Sequence, residues 1–236
     1  MKVLVLGATG QTGYQVVKQL LENSIQVKAI VRNPGKFADI QSDENLEIFR
    51  DSILDIKDKR LKEILIDIDV VVSCLGHNVS LKGMFGKPHY LVKDAMERTL
   101  KNANGMKLKK IVLMNTTACL SSKQKEKFTF GESIIMCAIR ILLPPQRDNE
   151  QALKYLENNY KEANVPEWIA VRPDTLVTEV QVTDYEIFKS PQRSPIFNAG
   201  KTSRINVAHF MMKLISNEEL WNEWKFCLPV VYNKEQ

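Results

Sequence analysis

Residues 7–13 of the chain read Gly-Ala-Thr-Gly-Gln-Thr-Gly, directly after the apolar run Val3-Leu4-Val5-Leu6 and directly before an amphipathic stretch. Few local patterns restrict a fold as strongly. Gly7 lets the chain turn sharply out of a strand, Gly10 lets the backbone approach a pyrophosphate, and Gly13 lets a helix pack closely on the sheet. The helix that starts there offers unpaired N–H groups and a partial positive charge to phosphates, and Thr9, Gln11 and Thr12 add side-chain donors. The alternative for a glycine triplet is a tight structural turn, but the strand before it and the helix after it are the context that the phosphate-binding turn requires.

The rest of the chain repeats strand and helix. Lys2–Leu6 reads as a strand, and Gly10–Asn23 as a helix with Val16, Val17, Leu20 and Leu21 on one face. Gln26–Val31 and Leu46–Phe49 read as strands, Asp58–Leu65 as a helix, and Asp69–Leu75 as a strand covered on both faces. A helix over Leu91–Ala103 leads to a strand at Lys110–Met114. Helices follow near Lys125–Leu142 and Asp148–Glu162, parted by Pro144-Pro145, and then a strand at Trp168–Val171. Such units join parallel strands by right-handed crossovers. The fold class is therefore α/β, a Rossmann-type doubly wound parallel sheet. Residues 1–236 are expected to form a single domain, with a nucleotide-binding core over 1–177 and a dependent lid region over 178–236. Within that tail, Thr178–Asn198 is polar and proline-broken, Asn206–Ser216 helical and Trp224–Val231 strand-like. It has too few apolar positions for its own core and is expected to fold over the carboxyl ends of the sheet.

The end of the second strand bears on which dinucleotide is held. NAD binders usually carry an acidic residue there for the ribose hydroxyls. Here the sequence is Val31-Arg32-Asn33-Pro34-Gly35-Lys36. A guanidinium can pair with a 2′-phosphate in bidentate fashion, and Lys36 adds a second charge, so the expected cofactor is NADP(H).

Composition removes several other classes. Hydrophobic and charged fractions of 44% and 26% are ordinary for a globular protein, and the net charge of +5 is mild. The basic clusters Lys107-Lys109-Lys110 and Lys123-Lys125-Lys127 lack interleaved aromatics and read as solvated faces, so no nucleic-acid partner is expected. The four cysteines form no Cys-x-x-Cys pair and the three histidines lie far apart, so no metal site is expected. The longest later apolar run, Ile134–Leu143, is about half a bilayer span and contains Arg140, so no membrane partner is expected. With no leader ahead of the first strand, the expected location is cytoplasmic.

The chain resembles the atypical short-chain dehydrogenases, in the NmrA-like and flavin-reductase (biliverdin-IXβ-reductase-like) branch. GATGQTG, VRN after the second strand, CLGHN after the fourth, KIVLMNTTA, WIAVRPDTL and AGKTSRINVAHFMMKLI carry the likeness across nearly the whole chain. The resemblance implies phosphates on Thr9–Gly13, the 2′-phosphate on Arg32 beside Asn33, and adenine near Asp51 and Ser52. It further implies ribose along Cys74, Leu75 and Gly76, with Thr116 and Pro173 at the nicotinamide end. The acceptor would enter among His77, Asn78, Thr117 and Asp174, with Arg204 nearby.

One departure bears on chemistry. Typical members use a tyrosine with a lysine four residues on, and none of the six tyrosines here has that lysine: Asn159 follows Tyr155 at that spacing, and Asn164 follows Tyr160. The flavin reductases carry a histidine on the helix before the sixth strand, and the Asp148–Glu162 stretch has none. The remaining candidates each have a plain alternative. His77 either donates a proton or caps its own loop. Thr116 and Thr117 either bind cofactor or act as acids, and Asp174 is a base or part of a wall shaped by Arg172-Pro173. Arg204 is an anchor or an anion hook. Phe128, Phe130 and Met136 are expected in the core rather than as a stacking platform. Two functions follow from this set. One is an NADPH-dependent oxidoreductase acting on a small conjugated acceptor such as a flavin or quinone, with His77 and Thr116 as its candidate catalytic residues. The other is a non-catalytic NADP(H)-sensing regulator.

Overall fold

In a computed structural model of the chain, residues 1–77, 80, 85–160 and 166–234 are described. The first strand sets the architecture. Every side chain of β1 (Lys2–Leu6) after the lysine is buried, and neighbours along a strand face opposite sides of the sheet. Val3 and Val5 thus enter one core, with Val16, Val17 and Leu20 of α1 (Gln11–Glu22). Leu4 and Leu6 enter the other, with Leu61 and Leu65 of α2 (Asp58–Leu65).

The remaining strands are β2 (Gln26–Val31), β3 (Leu46–Arg50), β4 (Val70–Ser73), β5 (Lys110–Met114), β6 (Glu167–Pro173), β7 (Thr175–Val177), β8 (Tyr185–Phe188), β9 (Lys201–Ser203) and β10 (Val230–Asn233). With β1, seven of these form one sheet in the order β3-β2-β1-β4-β5-β6-β10-β8. It is parallel throughout except at β8, which runs antiparallel to β10. The order reverses between β1 and β4, the switch point at which doubly wound sheets bind ligands. The helices α3 (Leu91–Asn102) and α5 (Pro144–Asn159) cover the α2 side, and α6 (Arg204–Ser216) and α7 (Glu218–Trp224) cover the α1 side.

The strands of the first half agree with the sequence reading to within a residue or two. The second half corrects it in three places. The helix expected from Lys125 begins at Phe130 as α4 (Phe130–Leu142), because Thr129 and Glu132 form a reciprocal cap in which each side chain accepts the other's backbone N–H. Pro144 and Pro145 do not merely separate two helices: they occupy the first turn of α5, where a missing N–H goes unused. The segment from Trp224 to Val231 is not one strand. It ends α7, turns through Phe226 at a φ of 60°, and enters β10.

The tail is also more regular than its polarity suggested. β10 and β8 extend the main sheet, α6 packs along α1, and β7 pairs with β9 just beyond the carboxyl end of β6.

Candidate functional site

The glycine loop closes on itself. The Gly10 N–H donates to the Gly7 carbonyl at 2.9 Å, and Tyr14 N–H donates to the Gly10 carbonyl at 2.9 Å. Gly7 has a φ of +74°, and a Cβ there would lie 2.7 Å from the Cys74 carbonyl group, so β4's exit segment passes directly against the loop. A Cβ on Gly13 would lie 2.2 Å from the Gly7 carbonyl oxygen. α1 therefore packs onto the turn itself as well as the sheet. Gly10 caps α1 without a side-chain acceptor, and no acidic residue occupies the first turn. The helix end thus keeps donors and positive potential for an anion. A cavity of about 320 Å³ borders this loop, lined by Thr9, Gly10, Gln11, Tyr14, Lys36 and Arg204 among others.

Beside the loop lie the carboxyl ends of β2 and β3. Asn33 is exposed but folded back on its own chain: its side chain accepts the Gly35 N–H at 3.0 Å and caps a short 3-10 turn over Pro34–Phe37. That turn leaves Arg32 and Lys36 exposed, and neither has a hydrogen-bond or ion-pair partner among the described residues. The Asp51 N–H donates to the Val31 carbonyl at 3.0 Å, and the Asp51 carboxylate accepts the Ser52 N–H at 2.8 Å. Asp51 and Ser52 thus stand next to Arg32. A cradle a Cβ would fill and an uncapped helix end fit a dinucleotide's phosphates, and the Arg32 guanidinium is a further anion-binding group beside them.

On the other side, Cys74 is buried, its N–H donating to the Leu6 carbonyl at 2.9 Å, and burial pushes its thiol up to about 12. It presents backbone to the loop rather than a reactive sulfur. Leu75 is half-buried and Gly76 exposed, with open space where a Cβ would stand. His77 has only 5% side-chain exposure and its Nε2 lies 2.8 Å from Asp148 Oδ2. Asn78 lies outside the described residues.

At the carboxyl ends of β5 and β6, Thr116 accepts the Ala118 N–H at 3.3 Å through its hydroxyl, and its own N–H goes to Asn115 Oδ1 at 2.8 Å. The Thr117 N–H donates to the Pro173 carbonyl at 3.3 Å, which ties the two strand ends together. Asp174 accepts the Gly200 N–H at 2.9 Å and a hydrogen bond from the Thr117 hydroxyl. Burial raises its carboxyl above the usual carboxylate range despite the hydrogen bonds from Gly200 and Thr117. Arg204 donates to the Leu176 carbonyl and to Thr178 Oγ1, at 3.3 and 3.0 Å. It anchors the chain after β7 while bordering the loop-side cavity.

Two supporting carboxylates escaped the sequence reading. Asp148 is fully buried and accepts the N–H groups of Val92 and Lys93 at 2.8 and 3.0 Å as well as facing His77. Its spacing with Ala152 and Leu156, which places an acid on an apolar helix face, is the signal that could have found it. Glu126 sits inside the lysine-rich stretch 123–127 and forms a two-point pair with the buried Arg172, at 2.7 and 2.9 Å. Arg172 also donates to the carbonyls of Leu228, Cys119 and Lys189, so it clamps the segment after β5 against β6. Of the three residues expected in the core, Met136 is buried, Phe128 is intermediate, and Phe130 is 85% exposed, which corrects that expectation.

No described helix is long and apolar enough to cross a membrane. Among solved structures, the chain is similar to the oxidoreductase ylbE of Lactococcus lactis, with a TM-score of 0.71 and 16% identity over 100% of this chain and 92% of that one. It is also similar to an anaerobillin reductase of Escherichia coli O157:H7, with a TM-score of 0.70 and 14% identity over 100% and 98%. A third likeness is to a short-chain dehydrogenase/reductase of Veillonella parvula in complex with NADP, with a TM-score of 0.69 and 15% identity over 98% and 94%. At these identities the likeness establishes the Rossmann fold. Two curated plant proteins match shorter stretches. One is an uncharacterised chloroplastic protein of Arabidopsis thaliana, 42% identical over 74 residues, covering 31% of this chain and 26% of the relative. The other is a chloroplastic divinyl chlorophyllide a 8-vinyl-reductase of Cucumis sativus, 39% identical over 82 residues, covering 31% and 20%. The chain thus spans about a quarter or less of the length of these curated relatives. A family model described as NAD(P)H-binding matches residues 7–218, which include the glycine loop and the carboxyl ends of β2 to β6, and the chain belongs to that NAD(P)H-binding family.

Proposed function

We propose that the protein is an NADP(H)-dependent oxidoreductase that reduces a small conjugated acceptor, a flavin, a quinone or a molecule of that kind. The observation that carries this reading is a contrast within one cleft. The dinucleotide side is fully equipped, with the uncapped loop at Gly7–Gly13 and the unpaired Arg32. The acceptor side, from Thr116 and Thr117 to Asp174, is a wall of hydrogen-bonded positioning groups with no tyrosine–lysine acid pair. The similarity to an anaerobillin reductase and to an NADP complex is consistent with that chemistry.

When bound, the nicotinamide of NADPH supplies a hydride. The chain's own residues then have three tasks. The N–H groups of α1's first turn, with Thr9, Gln11 and Thr12, hold the phosphates, and Arg32 holds the 2′-phosphate with Lys36 nearby. Asp51 and Ser52 border the adenine, and Cys74, Leu75 and Gly76 border the ribose. Thr116 and Pro173 position the nicotinamide end, and Thr117 and Asp174 face the acceptor. His77, buried against Asp148, fixes the segment after β4 rather than giving a proton to substrate. A plain ketone needs an acid for its developing alkoxide, whereas a flavin or quinone spreads the incoming charge over its own ring and takes its proton from water. Alignment alone then supplies several kcal/mol of the barrier, by about the amount that proximity provides in general.

Anaerobic oxidation of NADPH against flavins, quinones and simple aldehydes tests the proposal. Turnover is expected with the conjugated acceptors and little with aldehydes. Efficient reduction of an aldehyde, abolished by Asp174→Ala, would show that a side-chain acid operates. A second reading, a non-catalytic NADP(H)-sensing regulator, has one observation in its favour: α4 turns apolar side chains to solvent, as binding surfaces do. Tight NADPH binding without turnover of any acceptor would decide for that reading.

A further inference from the structure

Among the described residues, the exposed large apolar side chains are concentrated on α4. Phe130 is 85% exposed, Ile134 58%, Ile141 76% and Leu142 63%, and Phe197, whose ring stands 4.0 Å from where a Cβ on Gly131 would lie, is 65% exposed. The inward face of the helix is occupied instead by Glu132 and Met136. An amphipathic helix normally turns its apolar stripe to its own core, and α4 does the reverse.

The spacing of the stripe specifies what fits it. Phe130, Ile134, Cys137 and Ile141 recur at steps of four, three and four, the interval at which a helix presents one continuous seam to a second helix. The positions flanking the seam are Gly131, Ser133, Ala138 and Arg140, small except for the last, so a partner backbone can come close. Arg140 is already paired with Glu150 at 2.7 Å. The seam is therefore apolar and electrically self-satisfied. A different protein partner would be selected by charges along the seam's edges, and an anionic membrane by lysines and arginines there. In a two-fold pair the same patch lies on both sides of the axis, so any net charge on it would face an equal charge of the same sign, and a patch without unneutralised charge suits a second copy of itself. The five side chains expose on the order of 600 Å², taking 150–250 Å² for a large aromatic as the scale. That reaches the upper limit for patches on monomers and approaches the ~800 Å² that each partner contributes to a standard interface.

We propose that α4 is a self-association surface, at which the helix packs antiparallel against α4 of a second copy about a two-fold axis. In that arrangement Phe130 faces the second copy's Ile141, and Ile134 faces its Cys137, which brings the two Cys137 thiols close to the axis. The proposal does not depend on the acceptor or the cofactor.

Sedimentation velocity on the full chain, over about two decades of concentration, tests it, because association follows mass action. The mass of two chains is expected for the wild type. Ile134→Glu and Ile141→Glu should each give the mass of one chain, with a melting temperature that no longer depends on concentration and matches that of the wild type at high dilution, since both side chains face solvent in a single copy. A short bis-maleimide should join two wild-type chains but not Cys137→Ser or Ile134→Glu chains, as Cys137 is exposed while Cys74 and Cys119 are buried and Cys227 is half-buried. A single-chain mass at every concentration overturns the proposal, as does a dimer that survives both glutamate substitutions. Binding of the single chain to phosphatidylserine vesicles through this face, lost in Ile134→Glu, would also overturn it.

Discussion

Nε2 of His77 lies 2.8 Å from Oδ2 of Asp148, seventy-one residues away in the chain, and the same carboxylate holds the first-turn N–H groups of α3 at Val92 and Lys93. Three elements thus meet at one buried side chain: the segment leaving β4, the start of α3 and the start of α5. An anion at a helix N-terminus is favourable in itself, and here it also orients the residue that follows the exposed Gly76.

Asp148→Ala should therefore destabilise the protein by about 1–3 kcal/mol per donor left unsatisfied, read from denaturant midpoints. His77→Asn should weaken NADPH binding, measured by calorimetry, more than it lowers kcat. A drop in kcat of about 100-fold or more at unchanged NADPH affinity, the size of effect seen on losing a general acid, would instead make His77 a proton donor.

The glycines of the cofactor cleft should not respond alike. A Cβ on Gly13 meets the Gly7 carbonyl oxygen at 2.2 Å, a backbone atom that cannot swing aside, whereas a Cβ on Gly76 meets nothing within 4 Å. Gly13→Ala is expected to cost about 1–3 kcal/mol of stability, as overpacking does, and to remove detectable NADPH binding. Gly76→Ala should melt like the wild type. Equal tolerance of the two substitutions in thermal melts would contradict the close packing of α1 on the turn.

The Glu126–Arg172 pair makes a prediction with a defined pH window. Burial pushes the Glu126 carboxyl up, but the Arg172 hydrogen bonds and charge and the Ser121 N–H outweigh it, and the net shift is downward from 4.5. A carboxyl whose folded value is depressed adds stability above its ordinary value and loses that contribution as pH falls through the folded value. Glu126→Gln should thus be less stable than the wild type by about 3 kcal/mol at neutral pH, because it leaves the Arg172 charge buried and unpaired. The gap should close below pH 4.5. A gap of the same size at neutral and strongly acid pH would show that the pair contributes through packing alone.

How much of this was legible in the sequence depends on the range of the interactions involved. β1, α1 and β2 were readable because their patterns are local: an unbroken apolar run, a helical repeat and a glycine turn all lie within thirty residues. β7, β8 and β9 are three or four residues long, too short for a period to show, and exist because partners distant in sequence pair with them. The site divides in the same way. Arg32 follows from its position at a strand end, whereas the burial of His77 depends on Asp148, and the depth of Glu126 depends on Arg172, 46 residues later. Phe130 read as core because apolar residues usually are, and nothing in a sequence states which side of a helix faces in.

Arg32 offers the sharpest test of the cofactor assignment. It is exposed and has no partner among the described residues, while the neighbouring Asn33 is committed to the Gly35 N–H and Asp51 to the Ser52 N–H. Among the described residues, the Arg32 guanidinium and the Lys36 ammonium are both free to meet an added phosphate on this side. A guanidinium can engage a phosphate through two parallel hydrogen bonds, and charge-assisted bonds of that kind are about twice as strong as neutral ones. Calorimetric titration should show NADP⁺ bound at least about tenfold more tightly than NAD⁺, or 1.4 kcal/mol. Arg32→Ala should remove most of that difference while leaving NAD⁺ affinity nearly unchanged, and Lys36→Ala should remove a smaller part. Because the attraction is between charges at an exposed site, the preference should also shrink as salt is raised. Equal affinities for the two dinucleotides in the wild-type protein would sink the assignment, whatever acceptor the enzyme uses.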